Sequence, residues 1–250
     1  MPLFAITQCV LYSFHCMAKH SKQGLFVVIE GIDFTGKATQ SKLLLERLRK
    51  LGIKTSYFDF PQYKQRSCTF VEDYLAGEFG DATKLSPKIS SIFFALDRFA
   101  AKNKLIQALA DGVVVANRYS TSNFGHQATK YKTVKEKIRF WKWSRQLEYN
   151  FLKLPKPDIV FILMLPLAVS LKLGRSRKSS KYVSTHGKTT DMHQQSMKHL
   201  AGARKNYLLL GKMYPKMCRI IDCYDKKKNY ILPPEIIADK IWAVLQESIH

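Results

Sequence analysis

The sequence is short of several features that would have fixed its class. Its five cysteines (Cys9, Cys16, Cys68, Cys218 and Cys223) are scattered over 250 residues and odd in number. That argues against a disulfide scaffold and for a reduced, cytoplasmic setting. Glycine (12) and proline (9) are too sparse for a disordered, low-complexity chain. No apolar run reaches the roughly 18–20 residues that a bilayer span needs, and no repeat of roughly 20–50 residues marks a solenoid. Acidic residues are scarce: 19 Asp and Glu stand against 41 Lys and Arg, a formal net charge of +22. Such a field attracts anions from nucleotides to nucleic acid. The basic residues are spread along the chain, not gathered in one tract, which favours solvated lysine faces over a nucleic-acid surface.

The chain is 46% hydrophobic and 24% charged, a globular composition long enough to bury a substantial core. Its first stretch, "MPLFAITQCVLYSFHCMA", is apolar, yet it has no positive leading region and no arginine, and Lys19 and Lys22 come only after it. It therefore fits neither a secretory signal nor a transit peptide. Met17 offers a second translation start; the other reading is a short extra segment or an anchor. Residues 1–23 are set apart as an extension, and residues 24–250 read as one domain.

Hydrophobic patterning alternates strands and helices. Leu25–Glu30 is a continuous, β-branched apolar run, the pattern of a buried parallel strand. Leu43, Leu44, Leu48 and Leu51 recur at helical spacing over Gln40–Leu51, and Gly52 is a stop. "KTSYFDFP" reads as a second strand, "GVVVANRY" as a third, "PDIVFILMLP" as a fourth and Cys218–Cys223 as a fifth. Between them, Ser86-Pro87 opens a long helix to about Ala110. Further helices are expected from Thr121, over Lys135–Leu152 with Phe140, Trp141 and Trp143 as anchors, over Asp191–Tyr214 and over Pro233–Ser248. Residues 175–190, "RSRKSSKYVSTHGKTT", lack apolar period and read as a mobile basic loop. This alternation predicts a parallel sheet of five strands with helices on both faces, a three-layer α/β sandwich. Ligands in such sheets bind at the carboxyl ends of the strands, here just after Glu30, Phe60 and Asn117.

Gly31-x4-Gly36-Lys37 has the spacing of a phosphate-binding loop, with a strand before it and a helix after it. Glycines let backbone N–H groups turn inward around phosphate oxygens, the helix presents its positive end, and Lys37 adds a point charge. Gly31, Thr35, Gly36, Lys37, Ala38 and Thr39 are the candidate residues for a nucleoside triphosphate. Ala38 stands where the usual pattern has a magnesium-binding hydroxyl. Thr39 points about 100° further round the helix and is no simple substitute. Magnesium is readily held through its own waters and nucleotide oxygens, so Ala38 weakens a generic GTPase or ATPase reading more than a nucleotide kinase. Elsewhere, Phe94 and Arg98 are four apart and share a helix face. An aromatic plane beside a guanidinium can stack a base and bond its edge. The plainer alternatives are a core aromatic for Phe94 and an ion pair with Asp97, or a solvated position, for Arg98.

Taken in order, "GIDFTGKATQ", "FDFPQY", "SSIFFALDRFAAK", "ANRYSTSNFGHQ" and "LPKPDIVFILMLP" resemble thymidylate kinases, over nearly the whole chain from Leu25. The resemblance implies a P-loop NTPase-type fold and transfer of a phosphoryl group from ATP to dTMP with Mg2+. It implies that Phe94 stacks on thymine, Arg98 reaches its O4 and Asn123 bonds near N3. A guanidinium only donates, so it suits thymine's carbonyl and not cytosine's amino group. By the same resemblance Arg118 clamps the acceptor phosphate, a role for which planar, two-pronged donation is well shaped. Tyr63 helps to place that phosphate, His126 lies close to the sugar C2′, and Asp33 approaches the 3′-hydroxyl and the magnesium shell. Plain alternatives are packing for Tyr63, a surface histidine for His126 and a turn residue for Asp33. The family also implies a homodimer joined through helices.

The sequence departs from the family at three further positions. Asn117 precedes Arg118 where an Asp is common. A phosphate monoester loses its second proton near pH 6, so the acceptor needs no base, and an Asn can still hold a metal-bound water. Phe34 occupies a loop position where some members carry Arg. The resemblance then implies that transition-state charge falls to the basic loop, as a lid carrying Arg175 and Arg177 with Lys178 and Lys181 near; the plain alternative is a flexible solvated loop. Met164 replaces an acidic residue of the fourth strand. Two other readings stay open on these departures: a kinase for another nucleoside or nucleoside monophosphate, and a degenerate P-loop protein binding nucleotides or nucleic acid.

Overall fold

The computed structural model describes residues 24–176 and 190–249. The N-terminal extension, its alternative start and most of the expected lid, Arg177 included, lie outside the described residues.

Five strands form the centre: β1 (Phe26–Glu30), β2 (Thr55–Asp59), β3 (Val113–Asn117), β4 (Ile159–Met164) and β5 (Cys218–Asp222). All neighbouring pairs are parallel, in the order β2-β3-β1-β4-β5. Every residue of β1 and β4 is buried, as expected of strands covered on both faces. Alternate side chains feed two separate cores. Phe26, Val28, Val114, Ala116, Val160 and Ile162 pack with Phe124, Trp141, Tyr207 and Leu210 on one face. Val27, Ile29, Val115, Phe161 and Leu163 pack with Leu44, Leu48, Ile241 and Trp242 on the other. The helices behind these contacts are α1 (Lys37–Lys50), α2 (Thr69–Ala76), α3 (Pro87–Ala100), α4 (Lys102–Asp111), α5 (Thr121–His126), α6 (Val134–Arg145), α7 (Leu167–Ser176), α8 (Thr190–Met213) and α9 (Pro234–Ile249). A short hairpin, β6 (Tyr224–Asp225) and β7 (Tyr230–Ile231), lies between β5 and α9.

The strand order reverses around β1, with β3 on one side and β4 on the other. A crevice opens at such a switch point, outside the carboxyl ends of the strands.

Two expected helices differ from observation. The single helix from Pro87 to about Ala110 is two, α3 and α4, divided at Ala101. There the Ala101 N–H bonds Arg98 O, three residues back, at 3.1 Å, a tightened turn that no Gly or Pro announces. The helix expected over Lys135–Leu152 starts with a Thr133–Glu136 capping box and ends at Arg145, followed by a π-helical turn over Gln146–Phe151. In that wide turn Leu152 N–H reaches Leu147 O at 2.9 Å. Helices α2 and α7 and the β6–β7 hairpin had no counterpart in the sequence reading.

Candidate functional site

The loop after β1 has the backbone that a phosphate cradle requires. Gly31 has φ +141° and Gly36 +87°, and a Cβ on Gly31 would sit 2.7 Å from Leu163 O. Only glycine suits both conditions. Phe34 takes φ +64° without that freedom, a conformation that costs a bulky residue roughly 1–3 kcal/mol. Its ring lies against α7: a Cβ on Gly174 would meet it at 2.6 Å. The loop tip is thereby tied to the turn that carries Arg175. Thr35 Oγ1 and Lys37 Nζ both donate to Ile32 O, at 3.0 and 2.8 Å. Ala38 is exposed and Thr39 half-buried on the first turn of α1. Burial most of all, then the neighbouring Arg118, pulls Lys37 down to about 7, against the attraction of Asp33, Glu30 and Asp59.

A buried carboxylate ties this loop to the next strand end. Glu30, the last residue of β1, accepts from Tyr119 N–H (3.1 Å), Thr121 Oγ1 (2.9 Å), Ser122 Oγ (2.9 Å) and Tyr207 Oη (2.8 Å). It thereby fixes β1, the β3–α5 corner and α8 to one another.

Arg118 stands at that corner with φ +66°, strain of the kind held at functional sites. It forms an ion pair with Asp33 through Nη2, and Nη1 donates to Gly31 O at 3.3 Å and to His126 Nε2 at 3.0 Å. Burial alone would raise the Asp33 carboxyl, but Arg118, then Lys37, His126 and His199, outweigh it and hold the group at about 2. The chain of contacts continues from His126 Nδ1 to His199 Nε2 (3.2 Å) and from His199 Nδ1 to Thr129 Oγ1 (3.2 Å). Because arginine only donates, Nε2 of His126 accepts and its proton is on Nδ1; His199 then carries its own on Nδ1. Burial, with Arg118 next, pushes His126 well below the usual imidazole range, so the ring is neutral at pH 7.

The crevice is a cleft of about 230 Å³ bordered by both ends of this network. Asp33, Arg118, His126 and His199 line one end; Phe94, Arg98 and Asn123 line it too, with Phe60, Pro61 and Tyr74. Phe94 and Arg98 reach it from the same face of α3. Phe94 meets Tyr74 edge-on at 6.1 Å. Arg98 is 2% exposed and forms a two-pronged pair with Glu148, whose side chain is 0% exposed, through Nε (2.7 Å) and Nη2 (2.7 Å). The alternative partner Asp97 is occupied elsewhere, accepting from Gln62 N–H (3.0 Å) and Ser67 Oγ (2.9 Å). Asn123 is buried and its Nδ2 donates to Ser91 O (3.3 Å) and Glu148 (3.2 Å). Tyr63 is half-buried beside Pro61 but is not among the cleft's lining residues.

Asn117 donates from Nδ2 to Asp59 at 2.8 Å, leaving its buried Oδ1 without a hydrogen bond. Asp33, Asp59 and Asn117 supply hard oxygen donors at the mouth of the sheet, a set that suits a hydrated Mg2+. Among the described residues no three His, Cys, Asp or Glu side chains cluster to hold a metal directly. Met164 is buried in the core.

Sequence reasoning overlooked Glu148 and His199. The signal for Glu148 was a carboxylate in line with Trp141 and Ser144 on the buried side of α6, a position that demands a buried cation. His199 was marked by its place on the apolar stripe of α8 with Ala203 and Leu210.

Comparison with known proteins gives the family. The family model for thymidylate kinase matches residues 29–229. A probable thymidylate kinase of Pyrococcus horikoshii is 30% identical over 207 residues, 80% of this chain and 88% of its own length. The thymidylate kinase of Mycobacterium tuberculosis is 31% identical over 175 residues, 68% of this chain and 78% of the relative. Among solved structures, a thymidylate kinase from Candida albicans shares the fold with a TM-score of 0.62 at 21% identity, covering 91% of this chain and 94% of that one. A glycine loop at the switch point, facing a cleft lined by Phe94, Arg98 and Asn123, accords with these matches: the chain belongs to the thymidylate kinase family, a family of phosphotransferases.

Proposed function

We propose that the protein transfers the γ-phosphoryl group of ATP to dTMP, giving ADP and dTDP. The observation that carries this reading is the single cleft in which Asp33 and Arg118 meet Phe94, Arg98 and Asn123. A phosphate oxygen of dTMP attacks the γ-phosphorus, the bond to the β-phosphate oxygen breaks, and ADP leaves. Gly31, Thr35, Gly36, Ala38 and Thr39 belong to the loop and helix start whose amides hold the donor phosphates, and Lys37 supplies charge. Arg118, pre-set by Asp33 and His126, turns its fork to the acceptor phosphate. Phe94 stacks the base, Arg98 and Asn123 read its edge, and His126 faces the sugar. Tyr63 acts from the rim. Arg175 and Arg177 belong to the lid, whose charge meets the developing negative charge. Asp33 and Asn117 would hold a hydrated Mg2+, which would supply positive charge against the phosphates. The acceptor is already a dianion at pH 7, so catalysis is alignment and charge stabilisation.

The protein works in the cytoplasm as a homodimer. Support for the dimer comes from α3, where Ile89, Ile92, Leu96 and Phe99 form an exposed apolar stripe at helical spacing. No helix among the described residues is long and apolar enough to cross a membrane.

The test is ADP release with ATP, Mg2+ and dTMP, run beside Lys37→Ala and Arg118→Ala. Turnover with dTMP that drops at least ~10²-fold in both variants is expected. Variants that match the parent would place the site elsewhere.

A further inference from the structure

Arg98 and Asn123 share one buried partner that no family motif named. Glu148 sits on the π-helical turn after α6, with no solvent exposure. Its Oε2 accepts from Arg98 Nε, while Oε1 accepts from Arg98 Nη2 and Asn123 Nδ2. A carboxylate offers only acceptors, so the end of the Asn123 side chain that faces Glu148 must be its amide nitrogen. The second hydrogen of that nitrogen goes to Ser91 O. Turned the other way, Asn123 would press its carbonyl oxygen against the carboxylate and a backbone carbonyl. Oδ1 is therefore the atom that Asn123 has for the cleft. Arg98 spends the Nε hydrogen and one Nη2 hydrogen on Glu148, and Nη1 is the nitrogen it keeps with both hydrogens unspent there.

We propose that Glu148 is a positioning residue that fixes the hydrogen-bond polarity of Arg98 and Asn123, so that the cleft accepts pyrimidines with a 4-oxo group and an N3–H. The inference rests on the dTMP kinase reading above. One donor and one acceptor side by side match thymine and uracil, which present an O4 acceptor and an N3–H donor. Cytosine presents the reverse at both atoms, an amino donor and a bare N3 acceptor. Mispairing at both atoms leaves buried groups unbonded, and discrimination of ~10⁴-fold is within reach of such a site. The π-helical turn fits such a role. It widens the helix so that Glu148 and Tyr149, consecutive residues, both point inward, and such turns gather at functional sites.

The experiment compares kcat/KM for dTMP, dUMP and dCMP at saturating ATP in the full chain, in Glu148→Gln and in Glu148→Asp, with folding followed by circular dichroism. Glu148→Asp keeps the charge that Arg98 needs but is a methylene too short to hold Arg98 and Asn123 at once. Its dTMP-to-dCMP ratio should fall about 10-fold, and that of Glu148→Gln about 10²-fold, with the KM for ATP unchanged. A merely structural role would lower the yield of folded protein and leave the ratio alone. A folded variant that keeps the parent's ratio overturns the proposal. If neither variant folds, binding of N3-methylated dTMP to the parent decides: about 10²-fold weakening upholds the polarity, and undiminished binding overturns it. A parent that does not phosphorylate dTMP at all refutes the functional reading itself, which no behaviour of the Glu148 variants can do.

Discussion

The two ends of the cleft are made from different parts of the polypeptide. The donor end is backbone: a loop bent through positive φ at Gly31, Phe34 and Gly36, with Thr35 and Lys37 folded back onto Ile32 O. The acceptor end is side chain: Arg98, Asn123 and Glu148 in one network and Arg118, His126, His199 and Thr129 in another. Amides come with every residue except proline, so in the proposed reaction a loop that binds phosphates through them would tolerate Phe34 and Ala38 in place of the more usual residues. A wall that would recognise a base through named side-chain atoms has no such latitude.

This contrast breaks first at Lys37, where a side-chain charge joins the backbone of the donor end. Lys37→Met should reduce kcat/KM at least ~10³-fold. It should also raise the melting temperature, because a buried cation beside Arg118 is removed. The titration gives the sign. Lys37 in the folded chain sits at about 7, below its ordinary 10.5, so the folded state binds fewer protons between these values and its stability rises with pH there. The advantage of Lys37→Met over the parent is full below pH 7 and shrinks by pH 9, as urea unfolding at the two pH values would report. A parent more stable than the variant at pH 6 would contradict the burial argument.

Donor affinity carries the second effect. Bound phosphates raise Lys37, so ATP binding takes up a proton above pH 7, and the affinity should fall toward 10-fold per pH unit between 7 and 9. Calorimetry in buffers of different ionisation enthalpy measures that uptake; none at pH 8 would mean that Lys37 is already charged in the empty loop.

The acceptor side sharpens through His199. His199→Phe keeps a ring but removes the hydrogen bonds to His126 and Thr129 that hold His126 behind Arg118, and the KM for dTMP should rise about 10-fold with the KM for ATP unchanged. Equal shifts in both would show that the histidine chain serves packing. The smallest effect is at Ala38. Ala38→Ser restores a hydroxyl to a loop that works through its amides, and kcat at saturating Mg2+ should change less than about threefold, with half-saturation at lower Mg2+. A large gain in kcat would mean that the missing hydroxyl limits the chemistry.

The sheet was legible because its strands are buried on both faces and therefore continuously apolar, as in "FVVIE" and "IVFILM". The phosphate loop was legible because backbone geometry forces glycine at fixed spacing. Phe94, Arg98, Arg118, Asn123 and His126 all border the cleft, and the order of their motifs along the chain is what pointed there. The break at Ala101 escaped because a tightened turn in a helix leaves no mark when neither Gly nor Pro makes it. Glu148 and His199 escaped for a different reason: each works by bonding another side chain far away in sequence, 50 residues from Glu148 to Arg98 and 73 from His199 to His126. Pairing at that distance is set by the packing of α3 and α5 against α6 and α8, which local pattern does not encode.

A crystal structure with dTMP and a non-hydrolysable ATP analogue tests this division of labour most directly. The account predicts thymine on Phe94 with O4 toward Arg98 Nη1 and N3–H toward Asn123 Oδ1, the monophosphate on Arg118, and the triphosphate held by amides of the Gly31–Lys37 loop. A cleft left empty, or a base whose edge faces away from Arg98 and Asn123, would contradict it.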